Sequence, residues 1–466
     1  MMSDIDMSKR KQASTGKMLS YSFGNLTGFF LGTVYTLYIF YFYEVEIGLS
    51  AGLVALSLII FAMWNMINDP LLGYLTDRPF KWTRRWGMRF PWILIAVFPA
   101  LICFLLVFTP PNINAKTNPL PIFLYMIFIL CLFDTCYSIF STNFYGSFAK
   151  QFPSDKERRK AAIFNTIIPH IGFVFIGFIP PLIIVYGDKN SFFLAMLIVA
   201  IILSVCVIIS IHGISESEDL KETFLRGYDN VGRTSFWKTM KIAFRHKNYV
   251  IAIITATLYS AAWNLYIASG IYFMKDILRL PLSFILLINL AQFLGFCGFI
   301  PFWAWVAKKI GHVKTYTLGC LLVSITLTPV LWVTTLWEAM LYNFIGGIGF
   351  GAFYIMGSPI SSDCYDEIAL TTGKRQEAVL SGIRTFFLRI AIIITALTIA
   401  IVHILTAYNQ DPNARQTALA QLGIRIHMGL IPSLLALMAF IIMLLFYDLK
   451  GEKKEQMKKN LREKKL

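Results

Sequence analysis

Charged side chains inside apolar stretches of membrane length are the residues of this sequence best suited to chemistry. Arg384 and Arg389 share one such stretch, between about residues 376 and 405, whereas every other Lys and Arg can be placed outside the hydrocarbon. A charge at bilayer depth costs about 2.5–3.5 kcal/mol on insertion scales, and it usually faces a bundle interior or a water-filled cavity. The pair therefore indicates a pathway through a membrane. Arg389 is predicted to face substrate or ion, and Arg384 to serve a gate.

Asp69 lies in another apolar stretch, four residues after Asn65, so the two side chains share one face of a helix. Amide and carboxylate oxygens bind hard cations such as Na⁺. A desolvated carboxylate also holds a proton more readily. Three interpretations follow for this pair: a sodium site, a proton site, or a structural ion pair between Asp69 and Arg389.

Asp134 is a further carboxylate inside an apolar stretch, and the cost of burying it makes it a candidate for the same pathway. Polar side chains follow it at helical spacing and end at Tyr145, which makes one polar stripe along the helix. Asn264 and Gln292, in two later apolar stretches, are candidates for the other wall of a binding pocket, and the alternative is that each forms a hydrogen bond between helices. Trp263 adds an aromatic ring there.

The elements that position these residues are membrane-spanning helices. Of the 466 residues, 57% are hydrophobic and 15% charged, against about 25% charged in soluble domains. Apolar runs long enough to cross a bilayer recur from end to end, and each needs about 20 residues. The sequence predicts an all-α polytopic membrane protein with twelve spans. Their approximate limits are 20–43, 50–76, 91–109, 120–149, 160–186, 191–212, 249–274, 282–307, 314–335, 337–365, 376–406 and 424–447.

Positive charge is distributed unevenly between the two sides of these spans. With both termini on one side, 34 of the 42 Lys and Arg residues fall on that side and six on the other, besides the two intramembrane arginines. Such a bias marks the cytoplasmic side. It also explains the net charge of +16 without a nucleic-acid partner. We expect both termini to be cytoplasmic and the protein to be integral to the cell membrane.

The longest cytoplasmic loop divides the chain into two six-helix halves that we expect to be pseudo-symmetric. The predicted divisions are residues 1–212, a central loop at 213–248, a second half at 249–447, and a basic, solvated tail at 448–466. Within the central loop, Phe236 to Phe244 is either an amphipathic helix on the membrane surface or part of an ordinary linker. Repeats of this kind usually enclose a site near the bilayer midplane. An enzyme is not expected, because the sequence offers no nucleophile–base set, metal cluster or ATP-binding motif.

Three motifs, in order along the chain, carry a resemblance to a known family. The first runs from Trp64 to Gly73 as Trp-Asn-x-x-x-Asp-Pro-x-x-Gly, followed by Arg85-Trp86-Gly87 and Pro91-Trp92. The second is Asp-Lys-Glu-Arg at 155–158, and the third is the charged pair of segments at 363–367 and 372–377. Together they resemble the glycoside–pentoside–hexuronide:cation symporters of the major facilitator superfamily, a group that includes sodium-dependent lysophospholipid symporters.

The resemblance implies a cation site on Asn65, Asp69 and Thr142, although the family usually has acidic residues at the first and often at the third position. Arg389 matches a position that is often lysine. Phe29 falls where some sugar symporters carry an acidic residue that holds sugar hydroxyls. The cavity is therefore expected to be more aromatic than a sugar site.

Charged residues near the cytoplasmic ends of the helices are predicted to form contacts that hold helices together in one state of the transporter and break in another. Such motion would rock one half against the other. The predicted gating residues are Asp77, Arg78, Arg158, Asp363 and Arg384.

The resemblance implies secondary active transport of a small organic solute by cation-coupled symport, with glycosides as the family default. Lysolipid-like amphiphiles, organic anions, an uncoupled facilitator and a non-transporting membrane sensor are the alternatives. We expect no cofactor beyond a coupling Na⁺ or H⁺. The expected partners are a small-molecule substrate and membrane lipid, and the expected working form is a monomer.

Overall fold

The computed structural model describes residues 13–76, 80, 82–216, 236–374 and 376–463. Within these ranges the regular structure is helical and there is no strand, so the predicted all-α class is confirmed. Twelve helices are long and apolar enough to cross a membrane. The first six are α1 Thr15–Glu46, α2 Ala51–Gly73, α3 Phe90–Val107, α4 Pro119–Phe148, α5 Lys156–Ile183 and α6 Lys189–Ile214. The second six are α7 Lys247–Leu278, α8 Leu282–Ile310, α9 His312–Leu331, α10 Leu336–Thr372, α11 Val379–Leu405 and α12 Ala418–Phe446.

The two ends of the bundle are distinguished by their contacts. The chain start, the linker between halves and the chain end meet at one end, called here the termini side, where Lys17 Nζ donates to the Ser215 carbonyl at 3.0 Å. The opposite end is called the far side. There the Gly187 amide donates to Glu46 Oε1 at 3.1 Å.

Local sequence signals explain where two of the long helices begin. The helical segment of α5 starts after Ser154, whose hydroxyl and the carboxylate of Glu157 form a capping box. The segment of α10 starts after Thr335 in the same way, with Glu338 as the acidic partner. Each box satisfies backbone N–H groups that have no partner within the helix.

Each half is a compact bundle, and the halves meet along a few helices. In the first half α1 packs against α5 and α6, and in the second α7 packs against α12. Across the interface α2 packs against α11 and α1 against α7. Residues on these four helices can therefore contact both halves.

Glycines in α8 and α10 allow these two helices to approach closely. A methyl group at Gly347 would overlap the carbonyl of Gln292, and one at Gly295 would overlap the carbonyl of Phe344. Small residues at such contacts are common between membrane helices. The glycine run at 346–351 is therefore a packing surface.

The ends of the second half differ from a simple linker and a solvated tail. A short linker helix, Phe236–Ala243, packs on α11, and the ring of Phe244 lies 5.0 Å from that of Phe387. After α12 the chain forms a tail helix, α13 Glu452–Glu463. Met457 and Leu461 on α13 are buried, so this basic segment packs on the bundle instead of remaining solvated.

Candidate functional site

A charged pair joins the two halves inside the bundle. Arg389 donates from Nη2 to Asp69 Oδ2 at 3.1 Å, and Ser138 donates from Oγ to Asp69 Oδ1 at 2.5 Å. The Arg389 and Asp69 side chains keep 25% and 30% of their exposure. Arg389 lies at the break between the helical segments Glu377–Leu388 and Ile390–Leu405. The pair is thus a partly exposed contact between ionisable side chains inside the membrane helices, where such residues usually face an ion or substrate pathway.

Asp134 lies beside this pair and is almost fully buried. Asn68 donates from Nδ2 to Asp134 Oδ2 at 3.1 Å, and the Asn65 amide donates to Oδ1 of the same carboxylate. Residues 65, 68 and 69 follow at i, i+3 and i+4, so α2 presents all three on one face. The structure therefore brings Asn65, Asp69, Asp134 and Ser138 into one group, called here the central cluster.

The central cluster offers the oxygen donors that a small hard cation needs. It holds two carboxylates and a hydroxyl, and among the described residues nothing donates a hydrogen bond to the buried Oδ1 of Asn65. An amide oxygen left in this way fits a cation such as Na⁺ as a ligand. The guanidinium of Arg389 neutralises Asp69 in this structure. Part of this contact would have to break when a cation binds to Asp69. No group of three or more His, Cys, Asp or Glu suited to a metal ion occurs within the described ranges, so such a site would depend on amide and hydroxyl oxygens.

Thr142 lies one helical turn beyond Ser138. A methyl group at Gly73 would lie 3.8 Å from Thr142 Cγ2, and the carbonyl of Thr142 accepts from Arg89 Nη1 at 3.2 Å. This places Thr142 next to the central cluster, toward the termini side.

A cavity of about 400 Å³ lies between the halves and is lined by α1, α5, α7, α8, α10 and α12. Of its 30 lining residues, 13 are Phe, Tyr or Trp, and none is Asp, Glu, Lys or Arg. Its polar side chains are Thr33, His170, Ser260, Asn289 and Gln292. The cavity is therefore aromatic and uncharged along the part of the chain that the structure describes.

Three of the residues predicted for substrate lie on this cavity: Phe29, Trp263 and Gln292. The ring of Phe29 lies 5.4 Å from His170, which in turn lies 6.1 Å from Tyr354 across the halves.

Two other predicted residues lie elsewhere. Asn264 lines a small separate pocket with Leu58 and Thr395, between α1, α2, α7 and α11. Tyr145 is 47% exposed on α4.

The predicted gating residues that the structure describes are dispersed on the termini side. Asp77 and Arg78 lie outside the described residues. Arg158 donates from Nε to the Phe152 carbonyl at 3.4 Å within the first half. Arg384 is half-buried on α11.

Asp363 is nearly buried and pairs with Lys454 of α13. Since both residues belong to the second half, this ion pair fastens the tail helix to α10 and does not join the halves.

Sequence reasoning missed one group of buried ionisable residues on the far side. Glu44 of α1 accepts hydrogen bonds from Tyr272 of α7 and His403 of α11, and His403 faces His427 of α12. The predicted first span ended at residue 43, just before Glu44, so this carboxylate fell outside the predicted spans. A histidine in the apolar run before Leu405 was the signal that could have revealed it.

Comparison with known proteins identifies the family of this chain. A model of the MFS/sugar transport protein family matches residues 20–451. The sodium-dependent lysophosphatidylcholine symporter 1 of Mus musculus is 22% identical over 492 residues, covering 97% of this chain and 89% of that protein. The sodium-dependent lysophosphatidylcholine symporter 1-A of Danio rerio is 22% identical over 370 residues, covering 70% of this chain and 66% of that protein.

Solved structures agree on the fold. The inward open conformation of the xylose transporter XylE from E. coli superposes with a TM-score of 0.63 at 13% identity, covering 95% of this chain and 98% of that chain. Structural similarity at such a low sequence identity supports the fold alone. The family model covers nearly the whole chain, on a two-half bundle with a cavity and a charged cluster between the halves, and the protein therefore belongs to the MFS/sugar transport protein family.

Proposed function

We propose that this protein is a cation-coupled symporter of an amphiphilic organic solute, which it moves by exposing the central cavity alternately to either side of the membrane. The observation that carries the proposal is the composition of the cavity wall, in which 13 of 30 residues are aromatic and none is Asp, Glu, Lys or Arg. Such a wall favours a solute with a large apolar or aromatic portion. It offers no acidic or basic side chain of these four types to pair with a net charge on the solute.

Glycosides are the second candidate class. Aromatic faces stack on pyranose rings, and the five polar side chains of the cavity offer partners for hydroxyl groups. The family description, sugar transport, favours the same class. An amphiphile is preferred because a small polar sugar would leave much of this aromatic wall without an apolar contact.

The coupling cation is proposed to bind the central cluster, apart from the solute. None of the cavity-lining residues comes from α2, α4 or α11, the helices that hold Asp69, Asp134 and Arg389. Sodium is favoured over a proton because the Asn65 Oδ1 atom, which has no hydrogen-bond partner among the described residues, is a metal-ion ligand and is not protonated at neutral pH. The names of the lysophosphatidylcholine symporters point to the same ion.

Orientation follows from charge. The termini side carries most of the Lys and Arg residues and is proposed to face the cytoplasm of a cell membrane. The far side would then face outward. Since Glu44, Tyr272, His403 and His427 join the halves there, the structure fits a carrier closed to the outside.

The proposal is tested by uptake of labelled lysolipids and glycosides into proteoliposomes under sodium or proton gradients imposed separately. We expect concentrative uptake of the amphiphile with sodium, and loss of it in Asp69→Asn. The matched control is Ser204→Ala, which removes a hydroxyl that bonds only within its own helix, to the Ala200 carbonyl at 2.7 Å.

Sodium-driven uptake that is unchanged in Asp69→Asn would refute the coupling role. Concentrative uptake of glycosides alone would move the substrate to the second class. Saturable uptake that no gradient concentrates would mean an uncoupled facilitator.

A further inference from the structure

The far side of the bundle contains a chain of buried polar side chains that crosses between the halves. Glu44 comes from the first half, while Tyr272, His403 and His427 come from the second, and none is more than 2% exposed. We call these four residues with Ser269 the far-side cluster. A carboxylate and two imidazoles buried this deeply need compensating partners, because an unpaired charge or polar group at such a place is costly.

The contacts form one continuous line of hydrogen bonds. Glu44 Oε2 accepts from the Tyr272 hydroxyl at 2.6 Å, and His403 Nδ1 lies 2.9 and 3.0 Å from the two Glu44 oxygens. His403 Nε2 lies 3.2 Å from His427 Nε2. His427 Nδ1 lies 2.7 Å from Ser269 Oγ, which itself lies 2.6 Å from the Leu265 carbonyl.

This line is satisfied by two proton arrangements that differ by one proton. In the first, the Ser269 hydroxyl donates to His427 Nδ1, His427 Nε2–H donates to His403 Nε2, and His403 Nδ1–H donates to the Glu44 carboxylate. Both imidazoles are then neutral, and the cluster carries the single negative charge of Glu44.

In the second arrangement every donor between Ser269 and His403 is reversed. Ser269 donates to the Leu265 carbonyl and accepts from His427 Nδ1–H, and His427 Nε2 accepts from His403 Nε2–H. His403 then has protons on both nitrogens and forms an ion pair with Glu44. One added proton makes the cluster neutral overall, and each contact along the line still joins a donor to an acceptor.

We propose that the far-side cluster is a proton-binding site whose occupied state holds the two halves together on the far side. The added proton comes from the far-side solution and binds the line at Ser269 Oγ, as the Ser269 hydroxyl proton passes to His427 Nδ1 and the His427 Nε2 proton passes to His403 Nε2. The same transfers run in reverse when the halves separate and water reaches the cluster. The proposal rests on the alternating opening proposed above. Its site is distinct from the central cluster.

Other ionisable groups around the cluster have partners of their own. Asp276 accepts from Tyr408 at 2.8 Å and pairs with Lys275 at 3.2 Å. Glu46 accepts from the Gly187 amide at 3.1 Å, and Arg425 donates to the carbonyl of Val333 at 2.6 Å. The tyrosines close to the cluster are Tyr41, Tyr186 and Tyr408. Glu46, and Asp276 with Lys275, are the groups placed to produce a competing pH effect.

The direction of the effect follows from the charges. The closed state without the proton buries an uncompensated carboxylate, so proton binding favours closure and alkaline solution favours opening. Because one proton is linked to the change, the ratio of closed to open molecules should fall by up to about tenfold per pH unit while the site titrates.

The test measures the distance between the halves on the far side of the full-length protein in nanodiscs, without substrate or sodium gradient. Spin labels are attached through noncanonical residues at Thr117 and Arg415, two exposed far-side positions in opposite halves, so that the seven native cysteines stay in place. Double electron–electron resonance then gives the closed and open populations between about pH 5.5 and 8.5, the range in which histidine ordinarily titrates.

We expect the closed population to fall with rising pH in the native protein and to show no pH dependence in Glu44→Gln. This variant keeps acceptors for Tyr272 and His403 but removes the negative charge. His403→Gln, which removes the imidazole that takes the proton, should also lose the dependence, whereas Asp276→Asn and Glu46→Gln should keep it.

Populations that do not change with pH in the native protein would overturn the proposal. A dependence that persists in Glu44→Gln, or that disappears in Asp276→Asn, would do the same. Since no solute is used, a failure here is distinguishable from a failure of the proposed transport function, which uptake measures.

Discussion

The pairing of Asp69 with Arg389 makes a prediction that depends on the distance and burial of two side chains. At 3.1 Å, two unit charges attract each other by about 5 kcal/mol for an effective dielectric constant of 20. The cost of removing both groups from water opposes most of this attraction. Since the side chains retain 25% and 30% of their exposure, we expect a net coupling of about 1–3 kcal/mol.

This coupling is measured with a double-mutant cycle in the free energy of unfolding, followed in mixed micelles by titration with a denaturing detergent. Asp69→Asn leaves a guanidinium at bilayer depth without its carboxylate, and Arg389→Gln leaves the carboxylate without its cation. Each single variant should lose stability. The double variant should lose about 1–3 kcal/mol less than the sum, because it removes both charges together.

The chain offers a control pair for this cycle. Lys453 and Asp448 form an ion pair of 2.7 Å with side chains that are 53% and 48% exposed, and pairs of this kind contribute little. Their cycle should give a coupling below about 0.5 kcal/mol. Additive losses at Asp69 and Arg389, or a coupling no larger than that of the exposed pair, would refute the assignment of a halves-joining ion pair.

Three further predictions concern the ion site, the helix contact and the tail. Sodium should raise the melting temperature of the native protein but not of Asn65→Ala, and an equal rise in both would remove Asn65 from the ion site. Gly347→Ala should destabilise the protein by about 1–3 kcal/mol through overpacking and weaken substrate binding, because the methyl group displaces the backbone of Gln292; unchanged binding would contradict this. Lys454→Ala should release α13 from Asp363 and speed backbone amide exchange in α13, and unchanged exchange would show that apolar packing alone holds the tail.

The membrane helices could be predicted from the sequence because length and apolar character are local properties. The tail helix could not be predicted in the same way. Met457 and Leu461 are spaced for one helical face, but they stand in a strongly charged segment that resembles a solvated run. Their burial depends on the surface of α10, which no local pattern describes.

The candidate site was predictable where its residues share one helix and not where they meet across helices. Asn65 and Asp69 are recognisable as one face of α2, and Asp134 is conspicuous as a carboxylate in an apolar run. Their hydrogen bonds to one another, and the contribution of Asn68, depend on how α2 packs on α4. The far-side cluster joins residues from positions 44, 272, 403 and 427, and such long-range contacts leave no periodic signal in the sequence.

The arrangement of α11 bears on how the two charged regions could communicate. Arg389 and His403 are fourteen residues apart on this helix, which is about 21 Å at the rise of an α-helix, and the segment Ile390–Leu405 between them is continuous. Arg389 contacts the first half at Asp69, and His403 contacts it at Glu44. The continuous segment therefore meets the first half at both ends, and a rotation that releases His403 from Glu44 would also move Arg389 relative to Asp69. Proton binding on the far side and cation binding at the centre would then act on one rigid element, so sodium should shift the far-side distance distribution of the native protein but not that of Asp69→Asn.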